Sequence, residues 1–388
     1  LVKVFRSPAE LRTHAASWDD LYERSEVALP TARAELVALW CEHFARRQHL
    51  SAIVVEHQGQ LVAALPLIER RWIGRKIGTL PGNQWSPAGD LLVDPACDVE
   101  AVLCQLVHHL ARSGWPLVWF PAVPGATAPW GAFQSALEGQ HVPWAGQERL
   151  RINQVALGAN WSSYFASRSR NHRRHIRRIT ARALRQGSTL LVCHDRLAPQ
   201  DVEPLLKTCF EIEASGWKGR AHGAVLHLPE VLNFYLEQAR QLAAHEQLNV
   251  VLLQYADRPI AFEYGWVGKG TYFSPKVGYD ERFASFAPGQ LLRSLLFERL
   301  IEERAIDTVD FLGPASPATS AWATSDYPIH RLVAGFGATG RVAVEFFRRA
   351  WPLAHRVRAM RGRQGSPADR QPRAVAMVED HADATADV

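Results

Sequence analysis

Twice along this chain two apolar, strand-length runs are joined by a short polar turn, and each time a helix-length run and a further strand follow. Leu50–Glu56 and Leu61–Leu67 flank His57-Gln58-Gly59-Gln60, and Leu248–Tyr255 and Ile260–Val267 flank Ala256-Asp257-Arg258-Pro259. Such runs, bounded by turn residues, read as antiparallel hairpins. Val99–Arg112 and Gly289–Glu303 are apolar at helical spacing, and Leu117–Phe120 and Thr308–Leu312 are the strands after them. A hairpin that feeds a helix and then another strand builds a mixed sheet. The chain therefore reads as two α/β halves, and the shared order suggests a divergent internal duplication.

The other elements fit that division. Val2–Phe5 is a short strand, and Ser7-Pro8-Ala9-Glu10 opens a helix, with Ser7 as cap and Pro8 at the first helical position. Ala32–Arg47 sets Leu36, Leu39, Trp40 and Phe44 on one helix face. Gly74–Trp85 reads as a glycine-rich loop and Asp90–Val93 as the start of a strand. In the second half Trp161–Gln186 is one helical segment ended by Gly187. Leu190–Cys193 and Thr271–Lys276 are strands, and Asp201–Ala214 and Glu230–His245 are helices. The expected domains are residues 1–150 and 151–352. Beyond them Arg356–Arg373 is rich in Arg, Gly and Pro, and Glu379–Val388 is acidic and rich in Ala, so residues 353–388 are expected to be a disordered tail.

Composition narrows the class. With 388 residues and 47% apolar side chains, two domains with ordinary cores can form. The five cysteines, Cys41, Cys97, Cys104, Cys193 and Cys209, show no CxxC or Cys/His spacing. That argues against a zinc site or a disulfide framework and for a reducing, cytoplasmic location. No apolar run reaches the roughly 18 residues of a transmembrane helix, and Leu1–Ser7 lacks the long apolar core of a signal peptide. Thirteen tryptophans suit deep pockets, although packing alone explains most such residues. A net charge of +5 permits an anionic partner without requiring one.

Three stretches carry candidate chemistry. Arg168–Arg185, RSRNHRRHIRRITARALR, holds eight arginines, two histidines and no acid. On a helix Arg170, Arg173, Arg174, Arg177 and Arg178 gather toward one face, with Ile176, Ile179 and Ala183 on another. That face is either a binding surface for phosphate, nucleic acid or an anionic glycan, or a solvated face balanced by acids elsewhere. Next, Glu211-Ile-Glu213-Ala-Ser-Gly-Trp217-Lys218-Gly219 runs a two-carboxylate helix into a loop offering an indole and an ammonium together, a substrate contact or a plain helix end with a buried Trp. Third, strand Ile260–Val267 places Phe262, Tyr264 and Trp266 on one face and Glu263 and Gly265 on the other. The strand bearing Lys276 follows, then Tyr279-Asp280, then a Pro288-Gly289 turn feeding a helix N-terminus, whose free N–H groups suit a pyrophosphate. Gly335-Phe-Gly337-Ala-Thr-Gly340 fits a dinucleotide-binding pattern but reads as a hairpin turn. No P-loop is present.

Six stretches in order carry a resemblance. They are Leu61-Val-Ala-Ala-Leu-Pro66-Leu67, Ser167–Leu184, Glu213-Ala-Ser-Gly-Trp-Lys-Gly219, Tyr279-Asp280-Glu281-Arg-Phe283, Pro288-Gly289-Gln290-Leu-Leu292 and Asp310-Phe-Leu-Gly313. Together they resemble the GNAT-related acetyltransferases of the CelD/BcsL-like type, distant relatives of the FemAB aminoacyl transferases. The resemblance implies a tandem GNAT-like fold of two mixed-sheet halves, with acetyl-CoA or another acyl-CoA bound by the second and no metal. The donor cradle then maps to Ala287, Pro288, Gly289, Gln290, Leu291 and Leu292, with Leu291 where a second small residue is usual. Glu263 becomes the general base, directly or through a water, raised by burial among Phe262, Tyr264 and Trp266. Lys276 would pair with the phosphates or the developing oxyanion, and Tyr279 would return a proton to the thiolate. Trp217, Lys218, Arg170, Arg174 and Arg177 fall to the acceptor, a small amine, hydroxyl or glycan. Other readings are a FemAB-like transferase using charged tRNA, a non-catalytic scaffold for exopolysaccharide assembly and, last, a DNA-binding regulator.

Overall fold

Both expected hairpins form, and their turns have the left-handed residues that tight connections need: Gln58 and Gly59 at φ 52° and 83°, Ala256 and Asp257 at 48° and 60°. The computed structural model describes residues 1–186, 189–220 and 223–349, without the side chains of Leu184, Gln186, Trp217 and Lys218. The expected tail, residues 353–388, and Gly187 lie outside the described residues. The chain divides into two compact units. One is Leu1–Val27 and Thr31–Leu150 with the described residues from Pro328 onward; the other is Ala28–Pro30 with Arg151–Tyr327. The segment from Pro328, assigned by sequence to the second half, thus packs with the first.

The N-terminal unit runs β1 (Val2–Phe5), α1 (Pro8–Thr13), α2 (Ala15–Arg24), α3 (Ala34–Phe44), β2 (Leu50–His57), β3 (Gln60–Trp72), β4 (Arg75–Thr79), β5 (Leu92–Val93), α4 (Val99–Arg112), β6 (Leu117–Val123) and α5 (Ala128–Gly139). The Ser7 hydroxyl accepts from the Glu10 N–H at 3.1 Å, as the capping pattern predicts. The stretch Gly74–Trp85 is not all loop. Ile73 and Gly74, at φ 46° and 71°, make a further tight turn, and β4 returns along β3. β4 then pairs in parallel with β6 across the α4 crossover. Ile53, Leu65, Leu103, Phe120, Trp130 and Phe133 form the core.

β7 (Trp144–Ala156) leads into the C-terminal unit: α6 (Trp161–Ser167), α7 (Arg170–Gln186), β8 (Thr189–His194), α8 (Val202–Ala214), α9 (Trp217–Arg220), α10 (Pro229–Ala244), β9 (Leu248–Tyr255), β10 (Arg258–Gly268), β11 (Thr271–Tyr279), α11 (Pro288–Glu303), β12 (Thr308–Pro314) and α12 (Pro317–Ser320). β13 (Ser325–Gly335) then passes into the N-terminal unit. The order β9-β10-β11-α11-β12 repeats β2-β3-β4-α4-β6, with the short β5 added after β4, and each half has a parallel pair, here β11 with β12. The expected helix Trp161–Gln186 is broken at Arg168–Ser169, where the flanking hydroxyls compete for backbone groups. The Ser167 hydroxyl donates to the Tyr164 carbonyl at 2.6 Å, and the Ser169 hydroxyl accepts from the His172 N–H at 3.2 Å. The Gly335–Gly340 stretch is a strand-to-helix turn rather than a hairpin, with a helix over residues 337–349. Its glycines allow close packing: a Cβ on Gly335 would lie 2.3 Å from the Gly340 carbonyl oxygen.

Two covers close the C-terminal sheet. On one face α6, α7 and α11 bury Tyr164, Ile176, Leu292, Phe297 and Trp322 against Val251, Leu253 and Tyr272. On the other, Phe210 and Tyr235, from α8 and α10, meet Phe262 and Tyr264 edge to face.

Candidate active site

The parallel pair β11 and β12 is short. It joins Thr271 to Thr308, Tyr272 to Val309 and Phe273 to Asp310, and ends there, although β11 continues to Tyr279 and β12 to Pro314. Beyond Phe273 and Asp310 the two strands part and leave a wedge between them. Its vertex is built with care. Asp310 is buried, accepts from Gln154 Nε2 at 2.9 Å and from the Leu312 N–H at 2.7 Å, and burial holds its carboxyl above the usual range. Leu312 takes φ 52°, rare for a bulky residue, inside the irregular stretch between Asp310 and Pro314. The Asp310–Gly313 motif is thus the bulge that turns β12 away from β11.

The turn Glu281–Phe286 links β11 to α11. Asp280 caps it and binds Arg282 Nη2 at 2.6 Å, and Ala287 enters the helix in the left-handed region at φ 49°. Pro288 has no N–H, and the Gln290 and Leu291 N–H groups bond to the Ala287 carbonyl. The Gly289 N–H has no acceptor among the described residues, and an added Cβ there would meet nothing within 4 Å. The expected cradle therefore divides. Ala287, Pro288 and Gly289 face open space or shape the turn, while Leu291 and Leu292 are core side chains. Gln290 Oε1 accepts from Trp322 Nε1 at 2.7 Å, and Trp322 stacks edge-on against His172 at 4.3 Å. Burial, then His175 and Arg168, push the His172 imidazole down to about 4.

Glu263 does not sit among Phe262, Tyr264 and Trp266, which occupy the opposite face. Its carboxylate is 0% exposed, beneath α11. Arg293 Nε lies 3.5 Å from it, and the guanidinium stacks 4.9 Å over Phe311. Neither Glu263 oxygen makes a hydrogen bond among the described residues, and the nearby Tyr272 hydroxyl and Asn249 Oδ1 are also unbonded. Burial, with Glu263 adding to it, pushes the Tyr272 hydroxyl well above its ordinary range. The carboxylate is thus enclosed under α11 and not by the aromatic face, so the surroundings expected for it are corrected and it offers no direct surface contact. Lys276 is corrected as well. It opposes Tyr264, on the far face from Glu263 and α11, and its Nζ binds Glu213 Oε1 at 2.9 Å. The cause is a bulge: Gly265 faces both Ser274 and Pro275, and Pro275 has no N–H for the ladder. Tyr279, 42% exposed, ends β11 where it has left β12.

The parallel strands thus part beside the N-terminus of the helix that joins them. Residues 170–322 match the family model described as the acetyltransferase (GNAT) domain. No curated protein matches the sequence. Among solved structures, a conserved protein of unknown function from Bacteroides thetaiotaomicron superposes with a TM-score of 0.53 at 10% identity, over 86% of this chain and 100% of that one. The C-terminal domain of a putative lysylphosphatidylglycerol synthetase from Agrobacterium fabrum gives 0.53 at 13%, over 87% and 95%. FemX gives 0.53 at 9%, over 82% and 95%. At these identities the likeness is one of fold.

Within residues 170–322 the connection from α8 to α10 flanks the wedge and is tied on two sides. Glu213 holds Lys276 of β11 with one oxygen and accepts from the Val225 N–H at 3.1 Å with the other. Arg220 Nη2 meets Glu281 Oε2 at 2.8 Å, just ahead of α11. Gly219 is required there, since a Cβ would fall 1.7 Å from the Ala214 carbonyl oxygen. The side chains of Trp217 and Lys218, expected at the acceptor, lie outside the described residues. Arg170, Arg174 and Arg177 are exposed on α7, where Arg174 meets Asn171 at 3.4 Å and Arg177 lies 5.7 Å over Phe165. None of them has a carboxylate partner among the described residues. No helix of those residues is long and apolar enough to cross a membrane.

Arg293 escaped the sequence reading. The signal was present: one cation stands inside the apolar run Leu291, Leu292, Leu296, Phe297, facing a strand with one carboxylate. A buried charge needs a partner, and the two were the available pair.

Proposed function

We propose that the protein is an acyltransferase of the GNAT type that moves an acetyl or other acyl group from acyl-CoA to an amine or hydroxyl. The observation that carries this reading is the parting of β11 and β12 next to the open Gly289 N–H. The pantetheine arm of the donor would lie in the wedge, where parted strands leave backbone groups to bond it, and the pyrophosphate at Ala287–Gly289. The acceptor nitrogen or oxygen attacks the thioester carbonyl, the new C–N or C–O bond forms, the C–S bond breaks, and the proton lost by the acceptor balances the one gained by the thiolate. Tyr279, exposed at the end of β11, is our candidate to pass that proton. Glu263 serves as a positioning residue that holds Arg293 and with it the first turns of α11. The α8–α10 connection, with Trp217 and Lys218, and the exposed Arg170, Arg174 and Arg177 form the acceptor side, and their charge suits an anionic or glycan-linked acceptor of polysaccharide or cell-envelope metabolism. Scattered, unpaired cysteines support a reducing, cytoplasmic setting.

Native mass spectrometry of freshly purified protein tests the donor. A retained mass equal to CoA or an acyl-CoA supports the reading; no adduct even after incubation with acetyl-CoA, in a folded protein, sinks it in favour of a non-catalytic scaffold. A second reading, aminoacyl transfer from charged tRNA, is favoured by the unpaired arginines of α7. It requires tRNA binding that weakens steeply with salt.

A further inference from the structure

Among the described residues, the segment between β11 and α11 brings no free cation to the proposed donor site. Between β11 and α11 the chain offers Arg282 alone, and Asp280 holds it through Nε and Nη2 at 2.9 and 2.6 Å. Lys276 faces the other side of the sheet with Glu213, and Arg293 is sealed beneath α11 with Glu263. A diphosphate at Gly289 would find that residue's N–H but no counter-charge from this segment.

α7 reaches the same place from a different part of the sequence. Arg182 Nη1 donates to the Ser285 carbonyl at 3.1 Å, and its guanidinium lies 5.5 Å over Phe286, two and one residues before the left-handed Ala287. Arg178 and Arg185 stand one turn to either side on the same exposed face, and none of the three has a carboxylate partner among the described residues. Like charges at this spacing destabilise a helix, and a bound anion relieves that repulsion. Guanidinium forks also match phosphate oxygens in pairs, which a lysine does not.

We propose that Arg178, Arg182 and Arg185 form the phosphate clamp of the donor site, supplying from α7 the charge that the turn before α11 lacks. The inference rests on the acyl-CoA reading and adds to it which residues hold the nucleotide end of the donor. Titration calorimetry of the full chain with CoA tests it. Arg178→Gln and Arg185→Gln are each expected to weaken CoA binding about tenfold, the loss of a charge-assisted contact, with an unchanged melting temperature. Arg185→Lys should retain part of the affinity, and Lys3→Gln, in the N-terminal unit, all of it. CoA affinity equal to wild type in both Gln variants overturns the clamp while leaving the donor reading intact. A folded wild-type protein that binds no CoA overturns both. Loss of tRNA binding in the Gln variants, with CoA binding untouched, overturns the clamp in favour of a nucleic-acid surface.

Discussion

Glu263→Leu strands the Arg293 cation in the core. The two groups are 3.5 Å apart, both nearly inaccessible to water, and the guanidinium is walled on one side by Phe311. Removing one partner of such a pair costs about 3–5 kcal/mol, because the survivor keeps its desolvation penalty and loses its counter-charge. For a unit of this size that lowers the melting midpoint by roughly 6–20 °C, with the small end expected because the pair makes no hydrogen bond. Glu263→Leu combined with Arg293→Met removes both charges and should recover most of the loss or exceed wild-type stability. Urea and thermal unfolding followed by circular dichroism measure the three variants, and CoA affinity is read on each. A positioning role predicts that CoA binding and turnover return with stability in the double variant. A double variant that folds and binds CoA as wild type does, yet turns over nothing, would show Glu263 to be the base and refute the reasoning.

His172, held down at about 4 by burial, stays neutral in the folded C-terminal unit while the unfolded chain protonates near its ordinary pKa. The unfolded state then binds more protons between about pH 6.5 and 4, so stability falls as pH drops through that window, and His172→Gln should flatten the fall in a series of thermal melts. Asp90 in the N-terminal unit behaves oppositely. Burial raises its carboxyl to about 6 against the bonds from Trp130 and Leu91, so that unit loses stability as pH rises from about 4 to 6, and Asp90→Asn should remove the slope. Gly219→Ala places a methyl 1.7 Å from the Ala214 carbonyl oxygen and must displace the α8–α10 connection. Acceptor KM should rise while CoA affinity holds, and equal kinetics would remove that connection from the acceptor site. Arg220→Ala cuts an exposed tie, so unfolding should hardly change while hydrogen exchange across Trp217–Arg220 quickens.

The parts of the fold visible in sequence are those set by local chemistry. Gln58-Gly59 and Ala256-Asp257 announced tight turns, and the alternation of Phe262, Tyr264 and Trp266 announced a strand with an aromatic face. What was hidden depends on register. With an unbroken ladder from the turn at Lys269-Gly270, Glu263 would stand opposite Lys276, and both would face the donor side together. The two-for-one bulge at Ser274-Pro275 shifts the count by one and sends Lys276 to the other face, because side chains alternate with period two. Pro275 within the strand was the available warning. The Ser167 and Ser169 hydroxyls broke a helix that apolar spacing alone continued, and the passage of β13 into the N-terminal unit is set by long-range pairing with β6, which no local pattern reports.

Hydrogen exchange with and without acetyl-CoA probes the donor site most directly. Donor binding in the wedge requires slowed exchange at the Gly289 N–H and along Ser274–Tyr279, the length of β11 that has parted from β12, with the N-terminal unit unchanged. Protection confined to the N-terminal unit, or none at saturating acetyl-CoA, would contradict it.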